Sequence, residues 1–136
     1  MPADTSPPDE RFPRDRRLLS KAQFDAVFRG GRKVVRPSLI LFLLARDSAE
    51  QHSRIGLAVS RKVGNAVVRN LLRRRVKDIF RRNQPRFLPA SDIVVIARPG
   101  ADALSFDALA IEFLGAFAHH VEREERRRAE RPPEPT

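Results

Sequence analysis

The chain has 136 residues, with 27 Lys or Arg against 17 Asp or Glu, a net charge of +10 and no Cys. That length suits one domain with a real core, and without Cys neither a disulfide framework nor a thiolate zinc site can form. The charge is concentrated: Arg54 to Arg82 holds ten bases and one acid, Asp78, while the rest of the chain is almost neutral. A basic patch confined to one structural unit marks a polyanion binder, because neutralising phosphates releases condensed counterions.

Residues 1–17 are rich in Pro and charge, as are residues 128–136. Neither segment can bury enough apolar surface to offset its ordering entropy. Both are expected to be disordered tails around one domain, residues 18–127. The N-terminal segment lacks the apolar stretch of a secretory signal. The longest apolar run, Leu39 to Ala45, falls far short of the ~20 residues that span a bilayer. A cytoplasmic location with no membrane partner is the expectation.

In chain order, Ser20 with Gln23 three residues later reads as a capping box, with Leu19 and Phe24 as a hydrophobic staple. The helix is expected to end near Arg29, where Gly30-Gly31 can supply a left-handed cap. Phe24 and Phe28, four apart, share one face. Val34-Val35 can begin a strand, and Ser38 to Ala45 is short and β-rich enough for a mostly buried one. In RIGLAVS, Ile55, Leu57 and Val59 alternate with Gly56, Ala58 and Ser60, which predicts a strand with one small-residue face. Asn65 then reads as an N-cap for a helix over Ala66 to Arg82. Pro85 and Pro89 mark a loop, DIVVIAR (Asp92 to Arg98) a strand, and Ser105 opens a last helix that fades into the charged EREERRR run. The predicted order is α-β-β-β-α-β-α, an α/β (α+β) two-layer sandwich.

On the central helix, 100° steps gather Val68, Leu71, Leu72, Val76 and Ile79 in one sector and place Arg69, Asn70, Arg73, Arg74, Lys77 and Arg81 opposite. The cations repel at i,i+4, as in Arg69/Arg73 and Arg73/Lys77, a cost that bound phosphates would offset. A merely solvated helix would interleave acids, and only Asp78 does so here. Arg75 and Arg82 fall at the edge of the apolar sector and can snorkel. Arg61 and Lys62 precede Gly64-Asn65 at the helix entrance, where unpaired N–H groups also favour an anion.

The stretch SRKVGNAVVRNLLRR resembles the signature of the bacterial ribonuclease P protein subunit. Ser60, Arg61, Lys62, Gly64, Ala66, Val67, Arg69, Asn70, Arg73 and Arg74 match it, while Leu71 stands where the family usually has the second Arg of an Arg-Asn-Arg triplet. The likeness spans roughly residues 17 to 119. It implies a protein that binds a large catalytic RNA and assists removal of the 5′ leader from precursor tRNA. Catalytic groups and Mg²⁺ are then expected in the RNA, with no cofactor, metal or catalytic residue in the chain. The signature helix is implied to face the catalytic RNA, through Arg61, Lys62, Asn65, Arg69, Asn70, Arg73, Arg74, Lys77 and Arg81. A cleft between the first helix and the sheet is implied to hold the single-stranded leader, with Phe24, Phe28 and Phe42 as candidates. Stacking on unpaired bases suits aromatic rings, and core packing is the competing reading for each. A left-handed βαβ crossover is also implied, against the usual right-handed rule.

Rival classes are weaker. An intrinsic nuclease needs acid/base or metal-binding groups, but His52 sits in a predicted turn and His119 and His120 face about 100° apart on one helix. No Gly-rich phosphate loop, HExxH or Gly-x-Ser-x-Gly motif occurs, and no small-molecule substrate is implied. Asp92, Asp102 and Asp107 read as strand-edge or helix-start acids. A general RNA-binding or ribosomal protein would share the basic helix without a processing role.

Overall fold

The computed structural model describes residues 20–46 and 52–130, and its first helix starts where the capping signal stands. Ser20 Oγ accepts from Gln23 N–H and Gln23 Oε1 from Ser20 N–H, both at 3.1 Å, which opens α1 (Lys21–Gly30). The expected staple residue Leu19 lies outside the described residues, as do residues 1–17 and 131–136. Gly31 ends α1 in extended backbone (φ −86°, ψ 162°), not in the expected left-handed cap. Glycine is needed there for space: a Cβ would lie 2.5 Å from the Val27 carbonyl oxygen and 3.0 Å from that of Leu43.

The chain continues through β1 (Arg32–Val35), β2 (Leu39–Ala45), β3 (Arg54–Ala58), α2 (Ala66–Arg82), β4 (Ser91–Ala97) and α3 (Phe106–Glu130), with short 3₁₀ turns at Gln84–Arg86 and Ala101–Ala103. The strands form one sheet in the order β1-β2-β4-β3. β1, β2 and β4 pair antiparallel, and β3 lies parallel to β4. A parallel pair needs a crossover rather than a hairpin, and α2 supplies it.

Strand alternation divides the side chains between two faces. Leu39, Leu41 and Leu43 of β2, Ile55 of β3, and Ile93, Val95 and Ala97 of β4 point to the main core, which α2 and α3 close with Leu72, Val76, Ile79, Phe80, Leu109, Phe113 and Phe117. This is the expected two-layer arrangement. On the opposite face, α1 docks over β2 and β4 through fully buried Val27, which meets Val94 with Phe24, Phe42, Leu44 and Ile96 around it. There β3 presents Arg54, Gly56 and Ala58, the first held by Asp92, so α1 forms a partial third layer whose aromatic side chains are incompletely covered.

α3 does not fade at its charged stretch but continues to Glu130, three residues into the segment expected to be a tail. Glu124 holds this half of the helix to β1, its Oε1 accepting from Arg32 Nε at 3.0 Å, and Arg127 lies 3.5 Å from the same oxygen. Near its start, Glu112 Oε2 accepts from the Ser38 N–H at 3.0 Å, fastening the β1–β2 turn to α3.

Candidate nucleic-acid interface

The basic helix is set by its entrance. Asn65, in extended backbone (φ −73°, ψ 179°), accepts from Val68 N–H at 3.0 Å. At Gly64 a Cβ would lie 2.8 Å from Val68 Cγ1, so a bare backbone is what lets the loop cross the first turn. The preceding turn is closed by Val63 N–H donating to Ser60 O at 3.1 Å, and it leaves Arg61 and Lys62 exposed beside the helix N-terminus. Exposed cations, the remaining first-turn N–H groups and the positive dipole end come together there, an arrangement that binds anions.

Packing rotates α2 relative to the face expected from periodicity. Phe80 turns fully inward and lies 4.9 Å from Phe87, ring centroid to centroid, joining Leu72, Val76 and Ile79 as the buried set. Leu71 and Val68 are only half-buried. At 100° per residue, Arg69 then stands roughly 35° from the centre of the buried set and Leu71 roughly 125°. The structure thus brings Arg69 to the inner flank instead of the far side, and takes Leu71 out of the core. Arg69 Nε is buried and has no hydrogen-bond partner among the described residues. An unsatisfied buried donor costs about 1–3 kcal/mol.

The remaining cations divide by what they touch. Asn65, Asn70 and Arg74 are exposed, and Arg73, half-buried, donates to Asn70 Oδ1 at 3.2 Å, which aligns the two side chains. Lys77 is half-buried on the same flank as Arg73. Arg81 and Arg82 share the carboxylate of Asp78, so that acid offsets part of the charge at the C-terminal end of α2. Arg75 and Arg82 face the loop and first residue that open α3: Arg75 Nη1 donates to Leu104 O at 3.0 Å, and the Arg82 guanidinium lies 5.6 Å from the Phe106 ring centroid. Arg75 is thus tied through one guanidinium nitrogen to the loop that leads into α3. Arg54 is also neutralised, bound through two 2.7 Å hydrogen bonds to the buried carboxylate of Asp92.

On the other sheet face, Phe24, Phe28 and Phe42 come together as expected. The Phe24 and Phe28 centroids are 6.4 Å apart, and Phe28 meets Phe42 edge-on at 4.9 Å. Phe28 is 41% exposed, while Phe24 and Phe42 are half-buried. Lys33, unmarked by any sequence signal, lies with its Nζ 5.8 Å from the Phe42 ring centroid because the β1–β2 register pairs the two residues. Aromatic faces with an adjacent cation match the chemistry of single-stranded nucleic-acid binding.

The histidines do not converge. His119 is exposed, and His120 is buried against Phe117. Burial, aided by the nearby Arg32, Arg123 and His119, holds the His120 imidazole below its ordinary pKa of 6.5 against the opposing pull of Glu124. Among the described residues no group of three or more His, Asp or Glu is placed to hold a metal ion, and no helix is long and apolar enough to cross a membrane.

Fold and surface together define a single-domain α/β protein whose basic helix and exposed aromatic face suit an RNA partner. A family model for ribonuclease P matches residues 12–121. The ribonuclease P protein component of Geobacter sp. (strain M21) is 37% identical over 106 residues, covering 78% of this chain and 89% of the relative. That of Gluconacetobacter diazotrophicus is 44% identical over 99 residues, covering 71% and 83%. Among solved structures, the RNase P protein from Thermotoga maritima superposes with a TM-score of 0.68 at 30% identity, covering 76% of this chain and 96% of that one. A Staphylococcus aureus RNase P protein mutant gives 0.71 at 26% identity, covering 78% and 88%. The chain belongs to the ribonuclease P protein family. Its role lies in the ribonuclease P ribonucleoprotein, the endoribonuclease of tRNA 5′-end processing, where its partner is RNA.

Proposed function

We propose that the chain binds the catalytic RNA of ribonuclease P through the turn before α2 and the exposed side of that helix, and holds the 5′ leader of precursor tRNA against the aromatic face beside α1. The RNA contacts are Arg61, Lys62, Asn65, Arg69, Asn70, Arg73, Arg74, Lys77 and Arg81, with Arg81 the weakest because Asp78 shares it. Phe24, Phe28 and Phe42 stack on unpaired leader bases, and Lys33 meets the passing backbone. The observation that carries this reading is the incomplete burial of those three rings on one sheet face, together with a helix on the other whose cations lack interleaved acids except at Asp78. Mg²⁺ and the hydrolytic step belong to the RNA. The protein raises local substrate affinity and shields phosphate charge, which lowers the Mg²⁺ the complex requires.

The test is single-turnover cleavage of precursor tRNA by the cognate catalytic RNA at low millimolar Mg²⁺, with and without the protein. Stimulation that is lost in Arg69→Ala and Arg73→Ala is expected. RNA binding with no stimulation would leave a general RNA-binding protein in its place.

A further inference from the structure

Where α1 ends, a cleft of about 380 Å³ opens between Gly30-Gly31, the end of β2 and the C-terminal half of α3. Its polar walls are Arg32, His120, Glu124 and Arg127. Gly30 and Gly31 line it without side chains.

The chemistry of the walls is mixed. Glu124 Oε1 takes both Arg32 nitrogens at 3.0 Å and Arg127 Nη1 at 3.5 Å, whereas Oε2 has no partner among the described residues. The Arg127 side chain is 63% exposed, so its remaining donors are available. His120 is only 6% exposed, and its Nδ1 has no hydrogen-bond partner among the described residues. A simple anion would meet the Glu124 carboxylate, and a simple cation would meet two guanidinium groups. A neutral ring bearing both donors and acceptors on its edge satisfies Glu124 Oε2 and the free Arg127 donors together, with the His120 ring packed alongside.

Leu44, which lines this cleft, also packs in the cluster of Phe24 and Phe42. Leu44 is thus a shared neighbour of the cleft and the aromatic cluster. We propose that it is a nucleobase pocket, receiving one unpaired base of the RNA strand that leaves the Phe28–Phe42 surface. Glu124 Oε2 accepts from an N–H of the base edge and Arg127 donates to a ring or exocyclic acceptor. His120 and the Gly31 backbone bound the ring. The inference rests on the leader reading above and adds to it a base-reading position on α3.

The chain has three histidines, so ring ¹⁵N–¹H NMR of the full-length protein resolves each, with His120→Gln assigning the relevant signal. An abasic site is walked along a single-stranded oligoribonucleotide of leader length. At one position, loss of the base should abolish the His120 shift and weaken binding roughly tenfold, a typical loss for one base contact. Glu124→Gln and Arg127→Ala should each weaken binding of the intact oligonucleotide and have little effect on the one abasic at that position. Arg127→Ala leaves the Arg32–Glu124 pair in place and so guards against a folding artefact. Oligonucleotide binding that depends on Phe28, with His120 silent at every position, would overturn the pocket and leave the leader reading standing. Failure of the oligonucleotide to bind at all would remove both. A His120 shift produced by free adenosine or guanosine but by no oligonucleotide would assign the cleft to a free nucleoside and overturn the RNA-strand proposal.

Discussion

Two groups of phenylalanines occupy opposite sides of the sheet and obey different rules. Phe80, Phe87, Phe113 and Phe117 sit in the main core with at most 2% exposure and centroids 4.9 to 5.1 Å apart around Phe87. Phe24, Phe28 and Phe42 touch at comparable spacing, 4.9 and 6.4 Å, yet keep part of their rings in solvent. Ring-to-ring contact is thus no guide to role. What separates the groups is the cover above them: α2 and α3 enclose the first, while the single short helix α1 spans only part of the second face. A folded chain gains from burying aromatic area, so a cluster held half-open is one whose remaining area is available to a partner.

The sharpest way to break this contrast is truncation on each side. Phe113→Ala removes a fully buried ring and should cost about 3–5 kcal/mol in denaturant unfolding. Phe28→Ala should cost well under half of that, while weakening holoenzyme affinity for precursor tRNA more than for mature tRNA. Equal losses for the two RNAs would mean that Phe28 serves the fold. On the basic helix, Arg73→Ala should lower RNA affinity and make the log K against log salt slope shallower by about one contact. An unchanged slope would place Arg73 away from phosphate. Leu71→Arg should tighten RNA binding with little change in stability, since Leu71 lies outside the buried set of α2; a large drop in melting temperature would show that its half-buried surface matters to packing.

The smallest effect is one of pH at the margin of the buried cluster, where His120 lies 6.1 Å from Phe117. Its folded-state pKa is lowered, chiefly by burial, so the unfolded chain binds a proton that the native state resists. That stability is present above the ordinary value of 6.5 and is lost as pH falls below it. Thermal unfolding should therefore shift downward between neutral and mildly acidic pH, and His120→Phe should flatten that shift. Persistence of the full shift in the variant would assign it to the carboxylates.

Several features could be read from short spans of chain because their causes are local. The capping box at Ser20, the Asn65 cap, the bounds of α2 and the pairing of Phe24 with Phe28 on one face depend on residues three or four apart, and the helix period sets those relations wherever the helix lies. The clustering of Arg and Lys, and with it the expectation of a polyanion partner, is likewise a property of the chain. The docking angle of α2 is not. It is decided by Phe80 finding Phe87, which moves Arg69 inward and Leu71 outward.

The tertiary structure alone decided the remaining relations. Phe42 reaches Phe28 and Lys33 only through sheet pairing and the docking of α1. Arg75 finds the Leu104 carbonyl 29 positions away, and Arg32 finds Glu124 across 92. Gly31 is required by the approach of Val27 and Leu43 backbone, although its own φ is ordinary. Contacts of this kind depend on which distant segments the hydrophobic core draws together, and no periodicity within a segment encodes them. The sequence by itself determined a basic helix and an aromatic helix; only their attachment to opposite faces of one sheet made two separate surfaces of them.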